Sequence, residues 1–375
     1  DPMVALKKLT DKYTEVFKQD LESTGNNLDA LQFISAVDTI PEMIKLTQTI
    51  LDNGIGYIAD DGVYFSITKY YKAGYRYGIL QKIATQQSKA RISNDEYDKD
   101  NAGDFALWKR AQDGEPQWPA TFSEDLMETE MAGRPGWHIE CSAMSEKTLG
   151  TPFDVHTGGI DLKFPHHENE IAQSCAAGST DFANYFVHNN HILVDGKKMS
   201  KSLNNFFTLR DIEQKGYSAQ AFRLLVLESH YSSESNFSWD ILTASQNRLK
   251  NWQASVDTLL QLPEDDDTSV VELLKVSLAD NLNTPRTLKE VDTYFDKVSS
   301  RTKSPNKSVI EAIKNVLGID LTATDIEENV RELISARAEA RSAKQWAKSD
   351  EIREQLSALG YGVRDLKDQQ IWHKL

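Results

Sequence analysis

Between Gly133 and Ser202 the chain gathers the side chains that can do chemistry. Six of its eight histidines (His138, His156, His166, His167, His188 and His191) and both cysteines (Cys141 and Cys175) lie there. Cys141, His166 and Glu170 form one candidate set: a thiol, an imidazole and a carboxylate, the donor types that hold Zn²⁺. His166 and Glu170 are four apart and project from one face of a helix that Pro165 would open. His167 and Cys175 are rival ligands, although His167 sits roughly 100° round such a helix from His166. The same residues also suit a buried small thiol beside a solvated helix end. A second set is His156-Thr157-Gly158-Gly159-Ile160-Asp161, where two glycines let backbone approach a ligand and Asp161 can accept from ribose hydroxyls. A third is Lys198-Met199-Ser200-Lys201-Ser202, two lysines and two hydroxyls behind Gly196. These could clamp a polyphosphate and stabilise charge growing on a leaving pyrophosphate. The Walker spacing Gly-x-x-x-x-Gly-Lys is absent, and an ordinary basic loop has the same composition.

The elements that must carry these groups follow from periodicity. Leu6, Leu9, Tyr13, Val16, Phe17 and Leu21 fall near one face and predict a helix over 5–21. Residues 41–51 predict a second helix with proline in its first turn. Residues 55–67 predict a hairpin turning at Asp60-Asp61-Gly62. The polar segment 81–103 reads as a solvated loop or short helix. Residues 105–109 read as a short buried element, and the acidic 121–131 as a surface helix or flap. A strand at 153–155, a glycine turn and a helix over 165–177 suggest an α/β arrangement with a site at the strand's C-terminal end. Extended pieces follow at 186–188 and 191–194. From Ala219 the pattern is helical, with segments at 239–260, 270–279, 287–298, 309–317 and 324–348. The acidic stretch 263–267 and residues 299–308 read as linkers.

Composition bounds the function. A 375-residue chain with 39% hydrophobic and 26% charged residues is globular in character and long enough for two or three domains. No apolar run approaches the roughly 20 residues that span a membrane. The first residues lack a signal-peptide core. Two cysteines argue against a disulfide scaffold and for a reducing, cytoplasmic setting. The net charge of −15 argues against indiscriminate nucleic-acid binding but leaves room for a local basic surface. Arg337, Arg341, Lys344 and Lys348 recur at helical spacing as one basic stripe, beside Arg331 and Arg353. Trp346 and Trp372 could stack on bases.

Taken together the motifs are more specific than any one of them. Lys198-Met199-Ser200-Lys201-Ser202 resembles the signature of class I aminoacyl-tRNA synthetases. The run from Gly133 to Met144 (Gly-Arg-Pro-Gly-Trp-His-Ile-Glu-Cys-Ser-Ala-Met), followed by Phe164-Pro165-His166-His167-Glu168-Asn169-Glu170, resembles the cysteinyl-tRNA synthetase family. The resemblance covers nearly the whole chain, from Tyr13 through Ile40-Pro41-Glu42-Met43-Ile44 and Asp104 to Lys109, and on to Arg337-Ala338-Glu339-Ala340-Arg341. It implies cysteine plus ATP, with Mg²⁺, giving cysteinyl-adenylate and pyrophosphate, then transfer to the 3′ end of cysteine tRNA. It implies Cys141, His166 and Glu170 as three of four ligands of one Zn²⁺ that selects the substrate thiolate. Trp137 and His156 would lie around the amino acid, Gly158, Gly159 and Asp161 on the adenosine side. Lys201 would reach the ATP phosphates, with Lys198 assisting.

The expected architecture is a Rossmann-like α/β catalytic domain of the class I synthetase type, then an α-helical bundle and a small C-terminal domain. The expected divisions are 1–45 (remainder of the first catalytic half), 46–132 (connective insertion), 133–190 (second catalytic half with the zinc site), 191–218 (the Lys-Met-Ser-Lys-Ser loop and stem-contact region), 219–329 (helical bundle) and 330–375 (anticodon-recognising domain). The family opens with a strand, a zinc-ligating Cys and a His-Ile-Gly-His-like motif. Asp1-Pro2-Met3 corresponds to a point past all three. The resemblance thus implies an N-terminally truncated member, lacking its first strand, first helix and fourth zinc ligand, and inefficient alone. Asn204 stands where the family has Gly, a small departure. A monomer is expected. Two other readings compete: an incomplete homologue that only binds tRNA or nucleotide, and a cysteine:aminosugar ligase of the mycothiol type.

Overall fold

A computed structural model describes residues 1–81, 103–203, 205–300, 303–367 and 369–375. Most of the polar segment 81–103, part of the stretch 299–308, and Asn204 lie outside the described residues. The chain divides into two compact units, Asp1–Val16 with Leu31–Asn190, and Phe17–Ala30 with His191–Leu375.

In the first unit a four-stranded antiparallel sheet runs in the order Gly56–Ala59, Gly62–Phe65, Phe105–Arg110, Gly133–Pro135. The hairpin expected at 55–67 is its first pair, with Ala59 opposite Gly62. The buried element expected at 105–109 is its third strand, in which Phe105, Leu107 and Trp108 are fully buried. The helix Ile40–Asp52 lays Met43, Leu46, Ile50 and Leu51 into the same core. A second, parallel pair joins Phe153–Gly159 to Ala183–Asn189. The kinked segment Lys163–His167, extended at Phe164 (φ −140°, ψ 132°), and the helix Glu168–Ala176 make the crossover, as a parallel connection requires.

The acidic segment 121–131 is a β-hairpin, not a helix or flap: Thr121–Glu124 pairs with Met127–Glu130. Asp125 and Leu126 both take positive φ at the turn, the backbone twist that two-residue hairpins need. Phe122 is its buried anchor, stacked edge-on against Trp108. The predicted first helix runs from Pro2 to Ser23, but none of its residues is buried, and Leu9, Tyr13 and Phe17 stay exposed.

In the second unit Ile192–Val194 is the middle strand between Lys197–Lys198 and Ser235–Phe237. Helices Ala219–Leu227, Trp239–Val256, Ser269–Ala279, Thr284–Ser300 and Lys307–Leu317 pack Leu224, Trp252, Leu274, Val291, Phe295 and Ile313 together. The two stretches expected as linkers are tied to each other by a bridge between Glu264 and Ser304. The predicted helix 324–348 is two helices, Glu328–Ser342 and Trp346–Ala358, broken where Lys344 takes φ +58°. They pack with the hairpin Tyr361–Asp365 and Gln370–Lys374 around Val330, Ile352, Leu356, Val363 and Trp372.

That packing corrects the basic stripe. Arg337 is 1% exposed and its guanidinium makes two hydrogen bonds to Asp365, at 2.8 and 3.1 Å. Arg341 also leans on Asp365. Trp372 is buried in the core and cannot stack on a base; Trp346 is exposed, with Arg341 over its ring.

Candidate metal centre and nucleotide-side residues

The site in the first unit is assembled by two helices and a strand. The strand Gly133–Pro135 approaches Phe105–Arg110 so closely that a Cβ on Gly136 would lie 2.1 Å from the Ala106 carbonyl oxygen. Glycine there lets the helix Trp137–Leu149 start hard against the sheet. Trp137 caps the outside of the site, while His138 and Ile139 turn into the core and Cys141 follows one turn on. Opposite stands the helix Glu168–Ala176, all nine of whose residues are buried.

Ligand atoms of Cys141, His166 and Glu170 lie within 4.8 Å of one another. The predicted i, i+4 relation holds: His166 Nε2 is 3.2 Å from Glu170 Oε1. The other carboxylate oxygen of Glu170 meets His156 Nε2 at 2.9 Å. The opposite edge of the His166 ring meets His138, Nδ1 to Nδ1, at 2.7 Å. The indole of Trp137 lies over His166 with ring centres 4.5 Å apart. His167, the rival ligand, also comes within 4.8 Å of His156 and Glu170. Its Nδ1, however, is engaged by His188 Nε2 at 2.9 Å. Cys175 is buried elsewhere, against Tyr70.

The electrostatics suit a cation. Burial, then the Glu170 charge, pushes the Cys141 thiol up to about 12. Burial would raise Glu170 too, but the hydrogen bond with His156 and the nearby His166 ring prevail and hold it at about 2. Burial, and then the neighbouring His166, keeps His138 neutral, near 3. Two acidic donors thus converge in a buried place, and Glu170 Oε1 has no hydrogen-bond partner although His166 Nε2 is close. A buried carboxylate oxygen left in that state is costly unless something positive meets it. A soft divalent cation would satisfy the orphaned oxygen and draw the proton off Cys141. The residues therefore fit zinc.

Gly158 and Gly159 end the strand Phe153–Gly159, and Asp161 lies exposed in the short turn after it. Gly158 has a further constraint: a Cβ there would come within 2.8 Å of the His167 ring. The Lys-Met-Ser-Lys-Ser segment belongs to the second unit. Asp195 and Gly196, both at positive φ, turn the chain into the exposed pair Lys197–Lys198. Met199 packs on the small core around Val194, Ile212 and Leu225. Ser200 and Ser202 share a hydroxyl contact at 3.2 Å, and Ser200 Oγ accepts from the Leu203 N–H. The side chain of Lys201 lies outside those described. Asn205, a residue that spacing and motif leave without a role, clips the loop: its Oδ1 accepts from the Ser200 N–H and its Nδ2 donates to the Lys198 carbonyl. The signal for it was local, a short amide at the end of a basic turn. His138 was equally unassigned, because nothing in its spacing points to His166.

Comparison with known proteins adds a second kind of finding. A family model described as tRNA synthetases class I (C) catalytic domain matches residues 3–247. Another, described as cysteinyl-tRNA ligase anticodon binding domain, matches residues 323–372. The chain is 36% identical over 391 residues to the cysteine–tRNA ligase of Chlamydia caviae, covering 97% of this chain and 79% of that protein. It is 36% identical over 398 residues to that of Brachyspira hyodysenteriae, covering 99% and 82%. Among solved structures, methionyl-tRNA synthetase of Mycobacterium tuberculosis bound by methionyl-adenylate aligns at 12% identity with a TM-score of 0.48, over 83% of this chain and 75% of that one.

Proposed function

The chain belongs to the cysteinyl-tRNA synthetase family, whose reaction is the ATP-dependent, AMP-forming attachment of cysteine to tRNA, and from that premise we propose how its residues divide the work. In the first step a carboxylate oxygen of cysteine attacks the α-phosphorus of ATP. A P–O bond forms, the bond to the β-phosphate breaks, and pyrophosphate leaves. In the second, a ribose hydroxyl at the tRNA 3′ end attacks the adenylate carbonyl and AMP leaves. Little covalent chemistry falls to the protein; it orients, discriminates and neutralises charge.

Cys141, His166 and Glu170 hold a zinc ion in this proposal. Zinc, when bound, supplies a soft partner for the substrate's thiolate, for which the hard hydroxyl of serine is a poor substitute. His156 fixes the Glu170 carboxylate from behind. Trp137, exposed over His166, covers the amino-acid side and sheds water from it. Gly158, Gly159 and Asp161 face the adenosine. Lys198 and Lys201 meet the triphosphate, with Mg²⁺ on the nucleotide, and stabilise the charge that grows as pyrophosphate departs. Residues 330–375 read the anticodon through exposed groups, among them Trp346, Lys348 and Arg353. A monomer in the cytoplasm is the working setting; no described helix is long and apolar enough to cross a membrane.

The observation that carries the metal assignment is the convergence of three donors, one of which, Glu170, has a buried, unpartnered carboxylate oxygen. The test is zinc stoichiometry by elemental analysis on wild type and Cys141→Ser, with cysteine-dependent ATP–pyrophosphate exchange measured against serine. One zinc per chain, lost in the variant together with cysteine-over-serine selectivity, is expected. Normal zinc content in Cys141→Ser refutes the assignment.

A further inference from the structure

We propose that His138 is a positioning residue for the metal centre: its Nδ1 accepts the Nδ1–H of His166 and so fixes the tautomer and ring angle that present His166 Nε2 to the cation. The inference rests on the zinc reading above and goes beyond it, since His138 touches neither substrate nor metal in that reading.

Geometry carries the argument. The two Nδ1 atoms are 2.7 Å apart, a separation that requires one proton between them. His166 Nε2 is the nitrogen turned towards Glu170, at 3.2 Å. A neutral imidazole that ligates through Nε2 must carry its proton on Nδ1. That proton then points at His138, which must be the acceptor. Both rings are nearly inaccessible, at 3% and 4% exposure, so water cannot substitute as the acceptor. His138 is itself held: its ring meets Phe105 edge-on, 5.9 Å between centres, and Phe105 is fully buried. His138 and Cys141 are three apart on the helix Trp137–Leu149, hence on one face of it. One rigid helix thus delivers both the thiol ligand and the group that aims the imidazole ligand. A residue that served only to fill the core here would not need a ring nitrogen aimed at His166.

The test uses the full chain as wild type, His138→Asn and His138→Leu. Asparagine keeps an acceptor where Nδ1 stood; leucine fills the space without one. Zinc affinity is measured by competition with a chromophoric chelator, and folding by circular dichroism. Outer partners of metal-bound histidines are worth roughly 10- to 100-fold in metal affinity, so His138→Leu should lose that much. His138→Asn should stay within a few-fold of wild type. A folded His138→Leu with wild-type zinc affinity overturns the proposal, and so does a folded His138→Asn as weak as the leucine variant. If leucine prevents folding, zinc-loaded wild type with isotope-labelled imidazole nitrogens decides. A through-hydrogen-bond coupling between the two Nδ1 atoms supports the proposal, and its absence overturns it. Wild type that binds no zinc at all overturns the metal-site reading itself and this inference with it, and that result is visible before any variant is made.

Discussion

Replacing Glu168 by glutamine probes how the ligand helix is anchored. Glu168 is 1% exposed, and its carboxylate accepts three backbone N–H bonds from one loop. Oε1 takes Gly78 at 2.7 Å and Ile79 at 2.6 Å, and Oε2 takes Leu80 at 2.9 Å. Glutamine has nearly the same shape, so no cavity forms and the effect is electrical. Its amide oxygen can keep the two bonds at Oε1, but as neutral ones, about 1 kcal/mol weaker each. Its NH₂ then faces the Leu80 N–H, donor against donor. A stranded buried donor costs about 1–3 kcal/mol, so the total is about 3–5 kcal/mol. That is a large share of the roughly 5–15 kcal/mol that holds a domain together. The assay is denaturant unfolding together with amide exchange at residues 78–80, which should lose protection before the four-stranded sheet does. Glu168→Gln within about 1 kcal/mol of wild type, with those amides still protected, would refute the reasoning.

Asp365→Asn should destabilise the C-terminal hairpin and its two helices by about 3 kcal/mol in thermal unfolding, because it leaves the buried Arg337 guanidinium short of its counter-charge. The same pair fixes a pH dependence: the hydrogen bonds from Arg337 prevail over partial burial and hold Asp365 below the usual carboxylate range. A depressed folded-state pKa gives stability that is complete at neutral pH and is lost as pH falls from about 4 through the folded value. An acid titration of that region in wild type and Asp365→Asn should therefore converge at low pH. Gly158→Ala should press on the His167 ring and weaken its bond to His188, lowering stability by about 1–3 kcal/mol, with a histidine NMR shift as the local readout. Lys201→Ala should slow adenylate formation in single-turnover assays with little change in cysteine affinity.

Some of this molecule was legible in the linear sequence for a clear reason. His166 and Glu170 met because helical spacing alone brings positions four apart together. The hairpin at Asp60-Asp61-Gly62 followed from turn chemistry. Cys141 needed the longer motif, since a lone cysteine carries no direction, and the folding of its helix against the other brings it to the pair. What escaped depended on partners far away in the chain. Spacing placed Arg337 on a stripe with Arg341, but could not say that the stripe faces Asp365, which a hairpin returns to it. The hairpin at 121–130 hid because only Phe122 is buried and its turn is Asp-Leu, not a glycine pair. The break at Lys344 lay in a run of good helix formers, where tertiary packing overrides propensity.

The central claim is that Cys141, His166 and Glu170 hold a zinc ion that selects cysteine through its sulfur. X-ray absorption at the zinc edge, on the zinc-loaded 375-residue chain with and without cysteine, tests it most directly. One sulfur at about 2.3 Å beside lighter N/O ligands, rising to two sulfurs when cysteine but not serine is added, is the predicted result. A zinc shell without sulfur, or one that cysteine leaves unchanged, would contradict it.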